Sequence, residues 1–407
     1  MTIDQPPAAR DAPAPDEAGD VSRAVKAMAE EMRGWLFAAA LPRWHAAGID
    51  RERGGFHEAI DVATGAAVDA PRRARVQPRQ VYSFLEAGRM GWDGDWRTPA
   101  REGLALFLER YGLGDGTVGA LVSAEGALLD PGFDLYNQAF ALFALAHAAA
   151  EDAGRAPAYR ERAARLLARL KAACGHPAGG FHEGAPERLP LCSNPHMHLF
   201  EAALAWEAAG GGPAWTALAD EIAGLALERF IDATSGGLRE FFDADWRPMP
   251  DARGRILEPG HQFEWAWLLV RWGTARGEAR ALAAARRLFA IGEEHGVCPD
   301  RQVAMMALDE RFAVLDPVAR LWAQTEWLKA ALALAEIAEG AAARRAYLGS
   351  ALRAGAALRP YLDVPLAGLW RDKLEADGRF RDEPAPASSF YHIVCALSEL
   401  DAHARRL

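Results

Sequence analysis

In the stretch Glu258-Pro-Gly-His-Gln-Phe-Glu-Trp-Ala-Trp-Leu-Leu-Val-Arg-Trp272, Pro259 and Gly260 interrupt regular secondary structure. A strongly apolar run follows, which is typical of a buried helix. His261 and Glu264 are three residues apart and share one face of that helix, in its first turn. The positive end of the helix dipole disfavours an imidazolium there. We therefore expect His261 to be a neutral general base that Glu264 orients. From this stretch alone, a capping carboxylate and a structural histidine are the alternative.

The rest of the chain repeats this helical pattern. Apolar residues recur at three- and four-residue spacing in segments that end at Gly, Pro, Asn or Asp. The predicted helices lie near residues 22–48, 78–90, 96–112, 134–151, 156–174, 193–210, 213–230, 260–277, 279–295, 317–338, 341–359 and 388–405. Twelve helices make six pairs. No linker divides them, so residues 21–407 are expected to form one domain.

A short loop motif recurs before alternate helices. Gly54-Gly-Phe-His-Glu58 returns as Gly179-Gly-Phe-His-Glu183, and looser copies occur at 236–240 and 367–371. Three copies continue into hairpin-like segments, and polar or aromatic helix starts follow. Uneven spacing, with functional-looking groups at one end of alternate helices, favours a closed ring over an open solenoid. The predicted fold is all-α: an (α/α)6 barrel of six inner and six outer helices, with short β-hairpin loops at one end.

Composition excludes several classes of function. The 407 residues are 51% hydrophobic and 25% charged, as in soluble globular proteins, and a net charge of -10 argues against a nucleic-acid partner. No apolar run has the length of a membrane span, so no membrane partner is expected. Residues 1–20 lack the apolar segment of a signal peptide and are expected to be a disordered tail. Four widely separated cysteines without a C-x-x-C pair fit a cytoplasmic setting.

The pair His196 and His198 has the H-x-H spacing of some metal sites. Residues two apart on a helix point to different sides, and no nearby carboxylate has the spacing of known zinc helices. Phosphate-binding glycine motifs are also missing from the sequence. We therefore expect no metal and no other cofactor. Asn194 and Glu201 do share a helix face with His198.

The predicted helix starts collect polar groups in one ring, and aromatic residues accompany them. The polar groups are Arg79, His198, Glu201, His261, Glu264 and His392; the aromatic residues are Tyr82, Phe133, Tyr136, Trp265, Trp322 and Trp370. Aromatic faces with scattered polar groups suit a sugar. Two histidines across a pocket suit proton abstraction next to a carbonyl, and an arginine would stabilise the developing enediolate oxygen.

Six short motifs in order carry a family resemblance. They are Arg79-Gln80, Tyr136-Asn-Gln-Ala-Phe140, Asn194-Pro-His-Met-His-Leu-Phe-Glu201, Gly260-His-Gln-Phe-Glu264, Trp322-Ala-Gln-Thr-Glu326 and Tyr391-His-Ile393. With them the chain, from about Val21 to the C-terminus, resembles the N-acylglucosamine 2-epimerase superfamily. That group includes cellobiose 2-epimerases, mannose and sulfoquinovose isomerases and some mannose-6-phosphate isomerases. The resemblance implies an (α/α)6 barrel.

The resemblance also implies roles for individual residues. The active-site arginine would be Arg79, the acid/base pair His261 and His392, the third site histidine His198, and the supporting glutamate Glu264. Residues expected to line the sugar site or contact the substrate are Tyr136, Asn194, Glu201, Gln262, Trp322 and Gln324. Asn137 stands where relatives often carry Asp, which leaves the sugar's identity open.

The predicted function is an aldose–ketose isomerase that converts mannose, or a close relative, to fructose through a cis-enediol. A sugar 2-epimerase of the mannose/glucose or N-acylglucosamine type and a mannose-6-phosphate isomerase are the alternatives. Arg72, Arg73 and Arg75 could bind a phosphate. A solvated basic loop is favoured instead, so free mannose is the predicted substrate. A monosaccharide is the expected partner, and a monomer or homodimer the expected assembly.

Two other classes fit a helical toroid. A glycoside hydrolase or lyase needs two carboxylates flanking the scissile bond, for which Asp134 and Glu183 are the candidates. A non-catalytic helical-repeat binding protein would instead present an exposed concave groove.

Overall fold

The computed structural model describes residues 15–184 and 187–407. Six helices form an inner ring. They are α3 (Val76–Arg89), α5 (Leu135–Glu151), α7 (Ser193–Ala208), α9 (Pro259–Arg276), α11 (Leu321–Glu336) and α13 (Ser388–Ala404). The outer layer is α1 (Pro15–Trp35), α2 (Leu41–Ala47), α4 (Arg97–Arg110), α6 (Ala156–Cys174), α8 (Pro213–Leu225), α10 (Ala279–Ile291) and α12 (Ala341–Leu362). A π-helical turn, Leu36–Ala40, joins α1 to α2, so these two act as one outer helix.

The inner ring is closed. Each inner helix packs against the next, and α13 returns to pack against α3, while α4, α6, α8, α10 and α12 each cover the inner helix that precedes or follows them. The inner helices are buried on all sides, as helix α11 illustrates with apolar residues around its whole circumference. The all-α (α/α)6 prediction is confirmed, and the closed ring leaves no open concave groove in the described chain of the kind a repeat binding protein needs.

The predicted helix positions agree closely with the observed ones, and the differences lie at helix ends. Residues 1–14 of the predicted disordered tail lie outside the described residues, whereas α1 already begins at Pro15. Val25 and Met28 anchor α1 in the core, and the helix continues from them toward its N-terminus, where the apolar pattern no longer marks it. Helix α11 begins at Leu321 rather than near 317, because Ala319–Arg320 form a strand that pairs with Lys373–Leu374.

Short strands connect the helices at one end of the barrel. They are β1 (Ala59–Ile60), β2 (Arg72–Arg73), β3 (Leu121–Val122), β4 (Leu128–Asp130), β5 (Leu191–Cys192), β6 (Phe241–Phe242), β7 (Ala307–Leu308), β8 (Val314–Asp316), β9 (Ala319–Arg320), β10 (Lys373–Leu374) and β11 (Ala385–Pro386). All pairings are antiparallel, and most join loops that are distant in sequence, such as β1 with β11. Within the described residues, the loops therefore form a crown of five small sheets at this end, and the β1–β11 pair joins the first and last of the loops.

Four inner helices hold the preceding loop by the same clamp. A buried glutamine near the helix start accepts a hydrogen bond from the backbone N–H of one loop residue and donates to its C=O, at 2.8–2.9 Å. The pairs are Gln77 with Phe56, Gln138 with Val118, Gln262 with Leu238 and Gln324 with Ala304. His196 takes this position in α7, where its Nε2 accepts from Phe181 N at 3.0 Å. The clamp fixes the height of each loop relative to its helix.

In the described part of the chain, no helix is both long and apolar enough to cross a bilayer.

Candidate active site

A cavity of about 240 Å³ opens where the N-terminal ends of the inner helices meet the loop crown. All six inner helices contribute to its wall. The lining residues are Arg79, Tyr136, Asn194, His198, Glu258, His261, Glu264, Met306, Arg320, Trp322, Ser388, Ser389 and His392. The structure thus brings together eight of the eleven residues predicted from the sequence.

His261 is paired with Glu240 from the preceding loop and with Glu258, the N-cap residue of its own helix. Its Nδ1 lies 2.9 Å from Glu240 Oε2, and Glu258 Oε2 lies 3.6 Å from the same atom. Glu240 is fixed in turn by Ser193, whose hydroxyl donates to Oε2 at 3.0 Å. Burial alone would lower the pKa of His261, but Glu240 and Glu258 outweigh it and raise that pKa to about 10. His261 is therefore an imidazolium at neutral pH.

This finding overturns the expectation of a neutral His261 oriented by Glu264. The helix N-terminus does disfavour a positive charge on His261, but the two nearby carboxylates have a larger effect on its pKa than the helix dipole. Glu264 makes no hydrogen bond to His261; its nearest histidine nitrogen is Nδ1 of His198, at 3.8 Å. The supporting carboxylate that the sequence analysis missed is Glu240, the last residue of the repeated loop motif.

His392 has the opposite protonation state. Its Nδ1 donates to Glu326 Oε1 at 2.8 Å, which leaves Nε2 as the basic nitrogen of the ring. The other oxygen of Glu326 is 2.6 Å from the ammonium of Lys329, which is completely buried. Burial, together with the positive charges of Arg79 and Lys329, holds the pKa of His392 well below its ordinary value. A neutral imidazole with a fixed tautomer is suited to act as a general base.

Trp322 lies next to both histidines and lines the same cavity. Its ring centroid lies 5.1 Å from that of His261 and 5.8 Å from that of His392. The indole gives a sugar in this cavity an apolar surface on which its C–H face can stack.

Arg79 enters the cavity through a cage of aromatic rings. Its guanidinium lies 4.2 Å from the ring centroid of Phe140 and 5.2 Å from that of Tyr391, and it donates to the hydroxyl of Tyr136. The rings fix the direction of the charge. Asn194 lines the same wall, and its buried Oδ1 has no hydrogen-bond partner among the described residues, so it can accept from a bound hydroxyl group.

His198 is the third histidine of the cavity, and it is neutral. Burial lowers its pKa to about 3, although Glu201 opposes the shift from 3.5 Å away. Glu201 itself accepts a hydrogen bond from the hydroxyl of Tyr391 and lies behind the wall rather than in it. The predicted substrate contact of Glu201 is therefore corrected to a supporting contact with His198 and Tyr391.

Gln262 and Gln324 do not line the cavity either. Both side chains are fully buried, and both amides are occupied by loop backbone, as described for the clamp. Their predicted substrate contact is corrected to a scaffold role. Each motif contains both cavity-lining and scaffold residues, because adjacent residues of a helix start point in different directions. Asn137 is also buried outside the cavity wall, with neither amide atom hydrogen-bonded within the described residues.

The candidate phosphate-binding arginines are engaged elsewhere. Arg72 is buried against Asp50, Arg73 pairs with Glu58 at 2.7 Å, and Arg75 pairs with Asp134 at 3.3 Å. The basic residue at the cavity rim is Arg320, whose Nε and Nη2 both lie 2.9 Å from Asp372 Oδ2.

The carboxylates nominated for glycoside hydrolysis do not flank the cavity. Asp134 caps helix α5, where Oδ1 accepts from Tyr136 N at 2.9 Å. Glu183 accepts from the backbone N–H of Cys192 at 2.8 Å. Both are structural groups of the loop crown, so the pair that hydrolysis needs is not formed by them.

Three groups of side chains bring donor atoms within 4.8 Å of one another, as a metal site requires. They are His198 with Glu201 and Glu264, Glu240 with Glu258 and His261, and Glu264 with Glu326 and His392. Direct hydrogen bonds explain the short distances in two of these groups, since Glu240 is bonded to His261 and Glu326 to His392. His196, the other half of the H-x-H pair, points away into the loop clamp. The expectation of a metal-free site stays a prediction.

The sequence is similar to those of known proteins along most of its length. Residues 54–396 match the family model described as N-acylglucosamine 2-epimerase (GlcNAc 2-epimerase). The chain is 57% identical over 385 residues to the mannose-6-phosphate isomerase of Rhizobium meliloti (strain 1021), which covers 94% of this chain and 99% of that protein.

Solved structures of related proteins have the same fold. The crystal structure of a D-mannose isomerase gives a TM-score of 0.81 at 20% identity, covering 96% of this chain and 99% of the other. The cellobiose 2-epimerase of Bacillus thermoamylovorans B4167 gives 0.81 at 18% identity, covering 93% and 99%. This chain therefore belongs to the N-acylglucosamine 2-epimerase family and is a sugar isomerase or epimerase of the mannose-related kind.

Proposed function

We propose that this enzyme interconverts mannose and fructose through a cis-enediol, with His392 as the base and the imidazolium of His261 as a hydrogen-bond donor that stabilises the enediolate oxygen. The observation that carries the proposal is that two histidines line one cavity and each is hydrogen-bonded through Nδ1 to a buried glutamate, His392 to Glu326 and His261 to Glu240. Burial and nearby cations lower the pKa of His392, whereas Glu240 and Glu258 raise the pKa of His261. A pair of titratable groups whose pKa values are driven apart is the usual arrangement for acid–base chemistry at neutral pH.

The reaction begins with the open-chain aldose stacked against Trp322. Nε2 of His392 removes the proton from C2, the C1–C2 double bond forms, and negative charge develops on O1. The imidazolium of His261 and the guanidinium of Arg79 stabilise that charge by hydrogen bonding. A proton then moves from the O2 hydroxyl to O1, the C2=O2 bond forms, and return of the proton from His392 to C1 gives the ketose. One base serves both carbons, because C1 and C2 are adjacent and the cis-enediol is planar.

Epimerisation at C2 is the second candidate, and one observation favours it. His261 carries a proton at neutral pH and lines the same cavity as His392. If C2 is within its reach, His261 delivers that proton to the opposite face and the product is the 2-epimer. Incubation with mannose followed by chromatography separates the candidates, since isomerisation gives fructose and epimerisation gives glucose.

We further propose that the substrate is uncharged. Asp372 already occupies the fork of Arg320, and Arg72, Arg73 and Arg75 pair with other carboxylates, so none of these four guanidinium groups is free to bind a phosphate. Glu258 lines the cavity, and when ionised it would repel a phosphate dianion. The relative named mannose-6-phosphate isomerase makes the phosphorylated sugar the natural competitor in the assay.

We also propose that the protein is a cytoplasmic monomer or homodimer. All four cysteines are free thiols, as a reducing compartment favours.

A further inference from the structure

Glu264 is a buried carboxyl group with no hydrogen-bond partner on either oxygen within the described residues. Its side chain is 1% exposed, and it nevertheless forms part of the cavity wall. It lies between two site histidines: Oε1 is 3.8 Å from Nδ1 of His198, and a carboxylate oxygen is within 4.8 Å of a ring nitrogen of His392. Unsatisfied buried polar atoms are rare in native proteins, and at a cavity wall they point to a bound partner.

The nearest ammonium group to Glu264 is already paired. Lys329 is completely buried, and it forms its ion pair with Glu326. Glu201 is ionised as well: burial opposes this, but the hydrogen bond with His198 and the charge of Lys329 lower its pKa to about 2. Within ion-pair distance among the described residues, Glu264 has only His198, which is neutral. Burial, and then repulsion from Glu326, raise the pKa of Glu264 well above its ordinary value.

Resting on the proposed isomerisation, we propose that Glu264 is a neutral carboxylic acid that carries the hydroxyl proton between O1 and O2 of the sugar. Aldose–ketose isomerisation moves two hydrogens, one between the carbons and one between the oxygens. His392 transfers the hydrogen between the two carbons. Glu264 lies at the cavity wall with two oxygens free of hydrogen bonds among the described residues, so it can transfer the hydroxyl proton between O1 and O2.

Each step balances in protons and electrons. When His392 takes the C2 proton, the C–H electron pair forms the C1–C2 double bond, and O1 takes the proton of Glu264, leaving a carboxylate. That carboxylate then removes the proton from the O2 hydroxyl. C2=O2 forms, and the enediol pair takes the proton from His392 at C1. Glu264 ends protonated and His392 ends neutral, so both are ready for the next turnover.

Two variants and a spectrum test this role. Glu264→Gln keeps the shape and a hydrogen-bond donor but cannot transfer a proton, and Glu264→Asp keeps the acid on a shorter arm. We expect the Gln variant to lose about 100-fold or more in kcat with KM little changed, and the Asp variant to recover part of that loss. Glu183→Gln, a buried carboxyl outside the cavity, is the matched control and should keep its turnover.

Infrared difference spectroscopy of the wild type against Glu264→Gln at neutral pH gives an independent readout. A carbonyl band of a protonated carboxylic acid should be lost in the variant. A carboxylate band lost in its place, or a Gln variant within about threefold of wild-type kcat, overturns the proposal. If the wild type fails to isomerise mannose, the proposed function fails instead, and the infrared band still decides whether Glu264 is neutral.

Discussion

Nδ1 of His261 lies 2.9 Å from Oε2 of Glu240, a carboxylate that the loop before α9 supplies from 21 residues earlier in the chain. This contact sets the charge of His261. The charge also depends on the position of the loop that carries Glu240, because the clamp between Gln262 and Leu238 holds that loop in place.

The rate should depend on pH in a broad plateau. His392 must be neutral, and its pKa is lowered, so the acid limb of kcat/KM should lie below pH 6.5. His261 must be protonated, and its pKa is about 10, so the alkaline limb should lie near there. Glu240→Gln removes the stronger of the two raising charges and should move the alkaline limb to lower pH. An alkaline limb that the substitution leaves in place would assign that limb to another group.

The same pairing contributes to folding stability. Because the folded pKa of His261 is raised above its ordinary 6.5, the contribution is complete below about pH 6.5 and is lost as the pH rises through about 10. Denaturant unfolding of wild type and Glu240→Gln at pH 6 and pH 10 should therefore show a larger difference at pH 6.

Lys329 should be more important for stability than an ordinary surface cation. Lys329→Met leaves Glu326 as a buried carboxylate without its counter-ion, which typically costs about 3–5 kcal/mol in the free energy of unfolding. Adding Glu326→Gln removes that charge, so the double variant should regain part of the stability but none of the activity, since His392 has lost its anionic acceptor. Equal losses in the single and double variants would contradict a direct ion pair.

Gln262 should behave as scaffold and not as a sugar contact. Replacing it by Met leaves the backbone groups of Leu238 unpaired and should cost about 1–3 kcal/mol in the free energy of unfolding. Gln138→Met, at the equivalent clamp on Val118 away from the cavity, is the matched control and should lose a similar amount. A rise in KM for mannose confined to the Gln262 variant would restore the substrate contact that the sequence suggested.

Much of this site could be predicted from the sequence, and the rest depends on packing between distant segments. Gly, Pro, Asn and Asp residues and the apolar spacing that follows them mark the helix starts, and these place Arg79, His198, His261 and His392 at one end of a ring. The protonation states of the histidines could not be predicted, since Glu240 and Glu326 lie 21 and 66 residues from the histidines they bind. A signal for Glu240 was present, because it ends a copy of the repeated loop.

Substrate charge gives a further prediction. Free mannose should be turned over with a kcat/KM at least equal to that of mannose 6-phosphate, because Asp372 occupies Arg320 and the arginines at 72, 73 and 75 pair with other carboxylates. The comparison should be run on wild type, Arg320→Gln and, as control, Arg73→Gln, whose guanidinium pairs with Glu58. A strong preference for the phosphorylated sugar that disappears only in Arg320→Gln would reverse the assignment.

Loss of either acid/base histidine should remove most of the rate. His261→Asn and His392→Asn should each lower kcat by about a hundred- to ten-thousand-fold, and the double variant should lose much less than the product of the two, since both residues serve one proton-transfer cycle. His295→Asn, which replaces a partly exposed histidine stacked on Phe312, is the control and should match the wild type.

The most direct test of the central claim follows mannose in deuterium oxide by nuclear magnetic resonance, with the wild type and His392→Asn side by side. With the wild type, we predict that fructose appears and that solvent deuterium enters at C1. With the His392→Asn variant, neither fructose nor deuterium incorporation should appear on the same time scale. Fructose formation by this variant at the wild-type rate, or glucose as the sole product of the wild type, would contradict the assignment of His392 as the base of an aldose–ketose isomerase.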